Sequence, residues 1–379
     1  MKNETVRYYD ISGVGISVRG QGKYADAFMS YFKPQEVPIL KNEPLLEVFF
    51  EDTPDRVSIP VSYYSLSGKI AFNEEEFFVK KKDFLYSVSN LFQPEKTVIL
   101  KLCCTRRTSL KNWVLNLAHS NNVGVTRSED KFVDSIMNYE VFWYIFAILL
   151  MRQKKVFVHS GIVDNDGKAI VIGGTGGCGK TSTLLAFLQN KRFKYVAEDF
   201  GIMGSNGITY YTPKKIAIYQ SDAKYKNPDV VSALKRINLK HQLLWNFFRV
   251  LGMNPRFRFT PEQLFNNERI IKESEIDCII YMSRVSEGDI SKVNVSDIEL
   301  CTKLRYASFR ELKELSEILS NIRAVGDINI RNAYPDISEL GEEYEKILLN
   351  IIGEHRICWL KVPLKIEPQK IIDYILKEM

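Results

Sequence analysis

The strongest chemical signal in the chain is Gly174-Thr175-Gly176-Gly177-Cys178-Gly179-Lys180-Thr181, which satisfies G-x-x-x-x-G-K-[ST] at every fixed position. Glycines let the backbone curl so that successive N–H groups point inward at phosphate oxygens. A helix following Lys180 adds the positive end of its dipole. Lys180 is long enough to reach β- and γ-phosphates, and the Thr181 hydroxyl is a ligand for Mg²⁺, with Ser182 beside it in the first helical turn. The alternative, a glycine-rich turn that matches by accident, is weakened by its surroundings. An all-apolar strand, Ala169–Gly173, leads into the loop, and Ser182–Gln189 reads as a helix. Residues Gly174 to Ser182 are therefore expected to cradle the phosphates of ATP, with Mg²⁺ on Thr181. Cys178 contributes backbone geometry here and no redox chemistry.

Two further places carry chemistry. The strand after the loop helix, Lys194–Ala197, ends in Glu198-Asp199. At the C-terminal edge of a parallel sheet both carboxylates lie beside the phosphate loop. One serves near Mg²⁺, and a second can take the proton of an attacking hydroxyl; a solvated strand end with an acidic turn residue is the plainer reading. His159 precedes the strand pair that enters the loop and can approach the phosphates, although a single histidine is as often structural. Arg284, at the end of the strand Cys278–Met282, and Arg256 and Arg258, in a segment that reads as a loop, are weaker candidates for a cation on the transferring group. For each, a surface arginine is the more ordinary reading. Lys214 and Lys215 read as solvating an edge.

These residues need an α/β scaffold, and the pattern supplies one. Val156–His159, Gly161–Val163, Lys194–Ala197, Phe200–Met203 and Ile208–Tyr211 read as strands, as do Cys278–Met282 and Ile357–Val362. Helices are expected at Phe309–Ala324, Ile337–Ile352 and Pro368–Lys377. Further upstream, Val14–Val18, Leu46–Phe50 and Thr97–Leu102 are strand-like and Ala25–Phe32 helical. The polar stretch Asn121–Asp130 suggests a boundary between an α+β N-terminal domain, 1–134, which presents substrate or partner, and an α/β catalytic domain, 135–379.

At 379 residues, with 45% hydrophobic and 26% charged residues, the chain has the composition of a globular protein with a sizeable core. Lys and Arg total 52 against 46 Asp and Glu, a net +6 that is too diffuse to indicate nucleic acid. No nucleic-acid motif stands out either. The longest apolar run, Val141–Met151, is too short for a bilayer and reads as a buried helix. Six cysteines without a CxxC pair indicate neither a zinc site nor a disulfide framework, and no signal-peptide pattern opens the chain. The expectation is a reduced, cytoplasmic protein without a membrane or nucleic-acid partner, in which a homo-oligomer is compatible.

Val158-His159-Ser160-Gly161-Ile162-Val163, Ile170–Gly174, Gly179-Lys180-Thr181-Ser182 and Val196-Ala197-Glu198-Asp199 follow one another in an order that resembles HPr kinase/phosphorylase-like proteins, whose phosphate loop is related to that of the phosphoenolpyruvate carboxykinases. The resemblance is specific over residues 156–203 and looser to about 220, where Tyr211–Ile218 looks like a related stretch. Residues 1–134 do not resemble the N-terminal domain of true HPr kinases. The resemblance implies a catalytic domain of the HPr kinase type with a mixed sheet. It also implies an active-site role for His159, with Glu198 as the base and Asp199 on the Mg²⁺ side. The family has two aspartates where this chain has Glu198 and Asp199, so the extra methylene leaves that division open. No equivalent of the phosphorolysis signature is found, so a kinase alone is expected.

The expected function is ATP- and Mg²⁺-dependent transfer of the γ-phosphoryl group to a hydroxyl, with a Ser or Thr of a protein or a biosynthetic peptide as acceptor. A small-molecule acceptor such as free serine is the alternative within the same class. A nucleotide-dependent binding module that transfers nothing is the alternative outside it.

Overall fold

Alternating apolar positions and short turn sequences mark the strands of this chain, and most of them assemble into two large mixed sheets. The protein is described by a computed structural model covering residues 5–51, 57, 63–66, 69–81, 84–104, 133, 136–137, 141–219, 222, 227–237, 239–250 and 256–378. The architecture is α/β. The polar stretch Asn121–Asp130 and the expected boundary at 134/135 lie outside the described residues. A single cut does not describe the grouping. One compact unit comprises residues 1–110, 125–153 and 312–343, and the other comprises 111–124, 154–311 and 344–379.

The first unit is built on β1 (Thr5–Ile11), β2 (Val14–Gly20), β3 (Glu36–Val37), β4 (Leu46–Glu51), β5 (Tyr64–Leu66), β6 (Ile70–Phe72), β7 (Glu76–Lys80), β8 (Phe84–Ser89) and β9 (Val98–Cys104). Among the described residues they form one sheet in the order β3-β1-β2-β4-β9-β8-β7-β6-β5. The apolar run is the helix Val141–Arg152, buried from Val141 to Met151. A helix that is apolar all round belongs in a core. At its end Arg152 donates to the carbonyls of Asn90, Leu91 and Lys96. No helix among the described residues is long and apolar enough to cross a membrane.

The second unit contains β10 (Lys155–Val158), β11 (Ser160–Asn165), β12 (Lys168–Gly173), β13 (Phe193–Ala197), β14 (Gly201–Gly204), β15 (Ile208–Tyr210), β16 (Ile216–Tyr219), β17 (Arg256–Phe259), β18 (Glu273–Val285), β19 (Ser291–Val293) and β20 (Arg356–Pro363). The main sheet runs β10-β14-β15-β18-β12-β11-β13, with β20 also on β18, while β16 and β17 pair separately. Asp166 and Gly167 turn β11 into β12 with φ of 53° and 88°, the double left-handed conformation of a two-residue hairpin. Strands β12 and β13 both run antiparallel to β11 and are therefore parallel to each other, and β18 and β20 run parallel to β12. The C-terminal ends of these four strands and the N-terminal end of β11 consequently share one edge of the sheet.

Arg256 and Arg258 sit on β17 and not in the loop that the sequence suggests. The alternation Arg256-Phe257-Arg258-Phe259 has the period of a strand and buries both phenylalanines.

Candidate active site

The shared edge gathers the sequence candidates. The glycine-rich loop expected to hold phosphates leaves β12 after Gly173 and enters the helix Lys180–Phe187. Gly174 has φ 151°, and a Cβ there would lie 2.4 Å from the Met282 carbonyl oxygen on β18. Main chain cannot yield as a side-chain tip does, so Gly174→Ala is expected to lower stability by about 1–3 kcal/mol, read from urea unfolding. Gly176 and Gly177 face open space, and Gly179, at φ 95°, begins the helix without a side-chain cap. The first helical amides therefore have no side-chain cap, an arrangement suited to an anion. Lys180 is 6% exposed, and its Nζ donates to Gly174 O at 2.8 Å and Thr175 O at 3.0 Å, which holds the ammonium within the curve of the loop.

Arg284 belongs to this loop. Because Gly173 pairs with Tyr281, β18 continues past the start of the loop, and the Arg284 guanidinium occupies the space a Cβ on Gly179 would need, 2.2 Å from Nη2. Nη1 donates to Pro363 O at 2.5 Å, so the group is anchored beside the helix N-terminus.

Glu198 and Asp199 leave β13 in a three-residue turn closed by Phe200 N–H to Glu198 O at 2.8 Å, with Asp199 at φ 66°. A non-glycine residue in that conformation is strained, and such strain concentrates at functional sites. Thr212 braces the turn, donating its N–H to Val196 O and its hydroxyl to Phe200 O at 2.7 Å. The two carboxylates then diverge. Glu198 is 6% exposed and accepts a hydrogen bond from the Thr181 hydroxyl. Asp199 Oδ2 lies 2.6 Å from Lys214 Nζ, and its Oδ1 lies 3.2 Å from His159 Nδ1. A solvated strand end does not describe this pair.

His159 is buried between β10 and β11. Its backbone N–H donates to Ser308 Oγ, and Tyr344 bonds both Ser308 Oγ and Phe157 O. Its Nδ1 also lies 3.7 Å from Glu311 Oε1, and neither ring nitrogen makes a well-aligned hydrogen bond. Burial, with the Lys180 ammonium adding, lowers the imidazole to about 4. Burial, with the charge of Asp199 adding, pushes Glu198 up to about 7. Burial also acts to raise Asp199, but Lys214, His159 and Lys180 outweigh it and hold that carboxyl well below the usual range.

Lys214, Glu311 and Asp222 also belong to this cluster, a place that no sequence motif gives to any of them. Lys214 carries a raised pKa, because Asp199 outweighs the lowering effect of burial, and it is paired with that carboxylate instead of solvating an edge. Asp222 accepts from Ser182 Oγ at 2.8 Å and from Tyr219 N at 3.0 Å, tying the loop helix to the segment beyond β16. The run Tyr211-Thr212-Pro213-Lys214 carried a usable signal, since a lysine four residues beyond a strand that neighbours β14 returns to the same edge. Glu311 carried none.

The donor set fits Mg²⁺ held together with phosphates. Thr181 and Glu198, joined by a hydrogen bond, are a hydroxyl and a carboxylate that could hold Mg²⁺ together with a substrate's phosphates. No protein-family model matches this chain, and no curated protein matches it.

Proposed function

We propose that the chain is an ATP-dependent kinase of the HPr kinase type that transfers the γ-phosphoryl group to a hydroxyl of a protein or peptide. The observation that carries this reading is the divergence of two adjacent carboxylates at the phosphate loop, Glu198 to Thr181 and Asp199 to His159 and Lys214. A loop that only held nucleotide has use for the first arrangement and none for the second.

The geometry favours the reverse of the roles the resemblance implies. Glu198 belongs on the metal side, because it is the carboxylate bonded to Thr181. Asp199 faces the acceptor. Mg²⁺, when bound, neutralises charge developing on the β- and γ-phosphates. The loop amides and Lys180 hold those phosphates, and Arg284 stands beside them. Asp199 orients the acceptor hydroxyl in line with the γ-phosphorus. The acceptor O–P bond forms as the bond from phosphorus to the β-phosphate oxygen breaks, the hydroxyl proton passes to the Asp199 carboxylate, and ADP leaves. Lys214 holds that carboxylate ionised, which makes it a weak base, but a loose transition state asks for little proton abstraction before the phosphoryl group has moved.

The test is mass spectrometry of proteins and peptides encoded near this gene after incubation with the full chain, Mg²⁺ and ATP. A gain of one phosphoryl group on one partner is expected. Asp199→Asn should lower kcat about 10²–10⁴-fold at unchanged Mg²⁺ requirement. Glu198→Gln should raise the Mg²⁺ needed for half-maximal rate by about tenfold or more. Intact ATP binding with no acceptor-dependent ADP release from any partner would replace the kinase reading with a binding module.

A further inference from the structure

The helix Leu239–Val250 lies in the second unit, between β16 and β17 in sequence. Trp245 anchors it, packing edge-on against Phe257 of β17 at 4.7 Å between ring centres. On the other side of the helix, Leu239, Leu243, Phe247 and Val250 are 68%, 61%, 59% and 79% exposed. At about 100° per residue these positions fall within an arc of about 80°, centred opposite Trp245, and run about 16 Å along the helix. An arc this narrow is the width of a coiled-coil seam, not of a broad core-facing stripe.

The surrounding sequence is charged with one sign. From Val230 to Pro261 there is no Asp or Glu, whereas Lys235, Arg236, Lys240, Arg249, Arg256 and Arg258 all fall in that span. Elsewhere the chain nearly balances its charges. The segment ends in β17, which pairs with β16, and Asp222 bonds both Tyr219 at the end of β16 and Ser182 of the helix after the glycine-rich loop.

We propose that the outer face of the helix Leu239–Val250 docks an acidic amphipathic helix of the acceptor protein or peptide. Its apolar seam takes the partner's apolar stripe, and the net positive charge of the acid-free segment 230–261 favours Glu and Asp on the partner's flanks. A second copy of the chain is the poorer occupant, since it brings the same acid-free segment against itself. A bilayer is poorer too, because the apolar arc is narrow and the tryptophan is turned inward, away from any interface. The inference deepens the kinase reading by naming the acceptor's class, but the docking is measured without nucleotide and stands or falls separately.

The probe is a fluorescein-labelled helical peptide with Leu every third or fourth residue and Glu on its polar face, titrated with the full chain and followed by fluorescence anisotropy. Matched peptides carry Lys for Glu or a scrambled order. Saturable binding of the acidic amphipathic peptide alone is expected, weakened at least tenfold by Leu243→Glu and by Leu239→Ser, with thermal midpoints unchanged. Lys180→Ala should bind it as the parent does. Equal binding of the scrambled or the Lys peptide, or binding indifferent to both substitutions, overturns the proposal. So does co-sedimentation with phosphatidylglycerol vesicles without peptide binding, or a dimer that Leu243→Glu dissociates while no peptide binds. Peptide binding that persists in a chain that fails every phosphoryl-transfer assay sinks the kinase reading and leaves the docking surface in place.

Discussion

Lys180→Ala is expected to lower acceptor-dependent ATP turnover by about 10²–10³-fold and to weaken nucleotide binding, because the substitution removes the one ammonium held inside the phosphate loop. The fold should survive, since the bonds lost are two hydrogen bonds to loop carbonyls and a weak one to Cys178 Sγ, and no side chain is left with an unpaired charge by the change. A second readout separates an electrostatic effect from a collapsed loop. After burial, Lys180 is the largest cause that keeps His159 deprotonated. Removing it should move the His159 titration, followed by NMR, upward from about 4 toward its ordinary 6.5. Unchanged turnover together with an unmoved His159 would mean that Lys180 does not face the site, and the phosphate-loop reading would fail with it.

How much of this site the sequence discloses depends on how local each residue's reason is. The phosphate loop is legible because its glycines, lysine and threonine act through one continuous turn between a strand and a helix. The helix begins at Lys180, two residues before the pattern suggested, because Gly179 can take the left-handed conformation that lets it start there. Glu198 and Asp199 are legible as a strand end, but their division of labour is not. It depends on a turn with Asp199 at φ 66° that sends adjacent side chains to different partners, and no periodicity encodes that. Glu311 reaches His159 from a short helix more than a hundred residues away in sequence, and a single sequence cannot register that contact.

The same limit governs the fold. Ile337–Ile352 is a helix over the span its pattern predicts, and Pro368–Glu378 nearly so. Which sheet a helix covers is another matter. Residues 312–343 group with the N-terminal strands, because an amphipathic stripe states that a face is buried and not against what. The Leu239–Val250 helix shows the converse case: Leu239, Leu243, Phe247 and Val250 are apolar in sequence, and only the structure shows them exposed.

The second large effect is a pair of opposed pH dependences of stability. Glu198 is raised from 4.5 to about 7, so the folded chain holds a proton there that the unfolded chain has released. Its contribution is complete below pH 4.5 and is lost as pH rises toward 7. His159 is lowered from 6.5 to about 4, so the unfolded chain holds the extra proton, and stability is complete above pH 6.5 and lost as pH falls toward 4. Between pH 4.5 and 6.5 the two slopes oppose each other, each limited to about 1.4 kcal/mol per pH unit. Glu311, raised mainly by burial, adds to the falling slope, while the depressed Asp199 acts only at pH below its ordinary 3.8. The parent chain should therefore change little across this window while each variant does not. Glu198→Gln should leave the histidine slope, with urea midpoints rising with pH, and His159→Asn should leave the carboxylate slope, with midpoints falling. Because the two variants are expected to diverge in sign, a general loss of packing cannot imitate the result. Parallel slopes in both would show that Glu198 and His159 are not the buried, oppositely shifted groups on which the site's electrostatics rest.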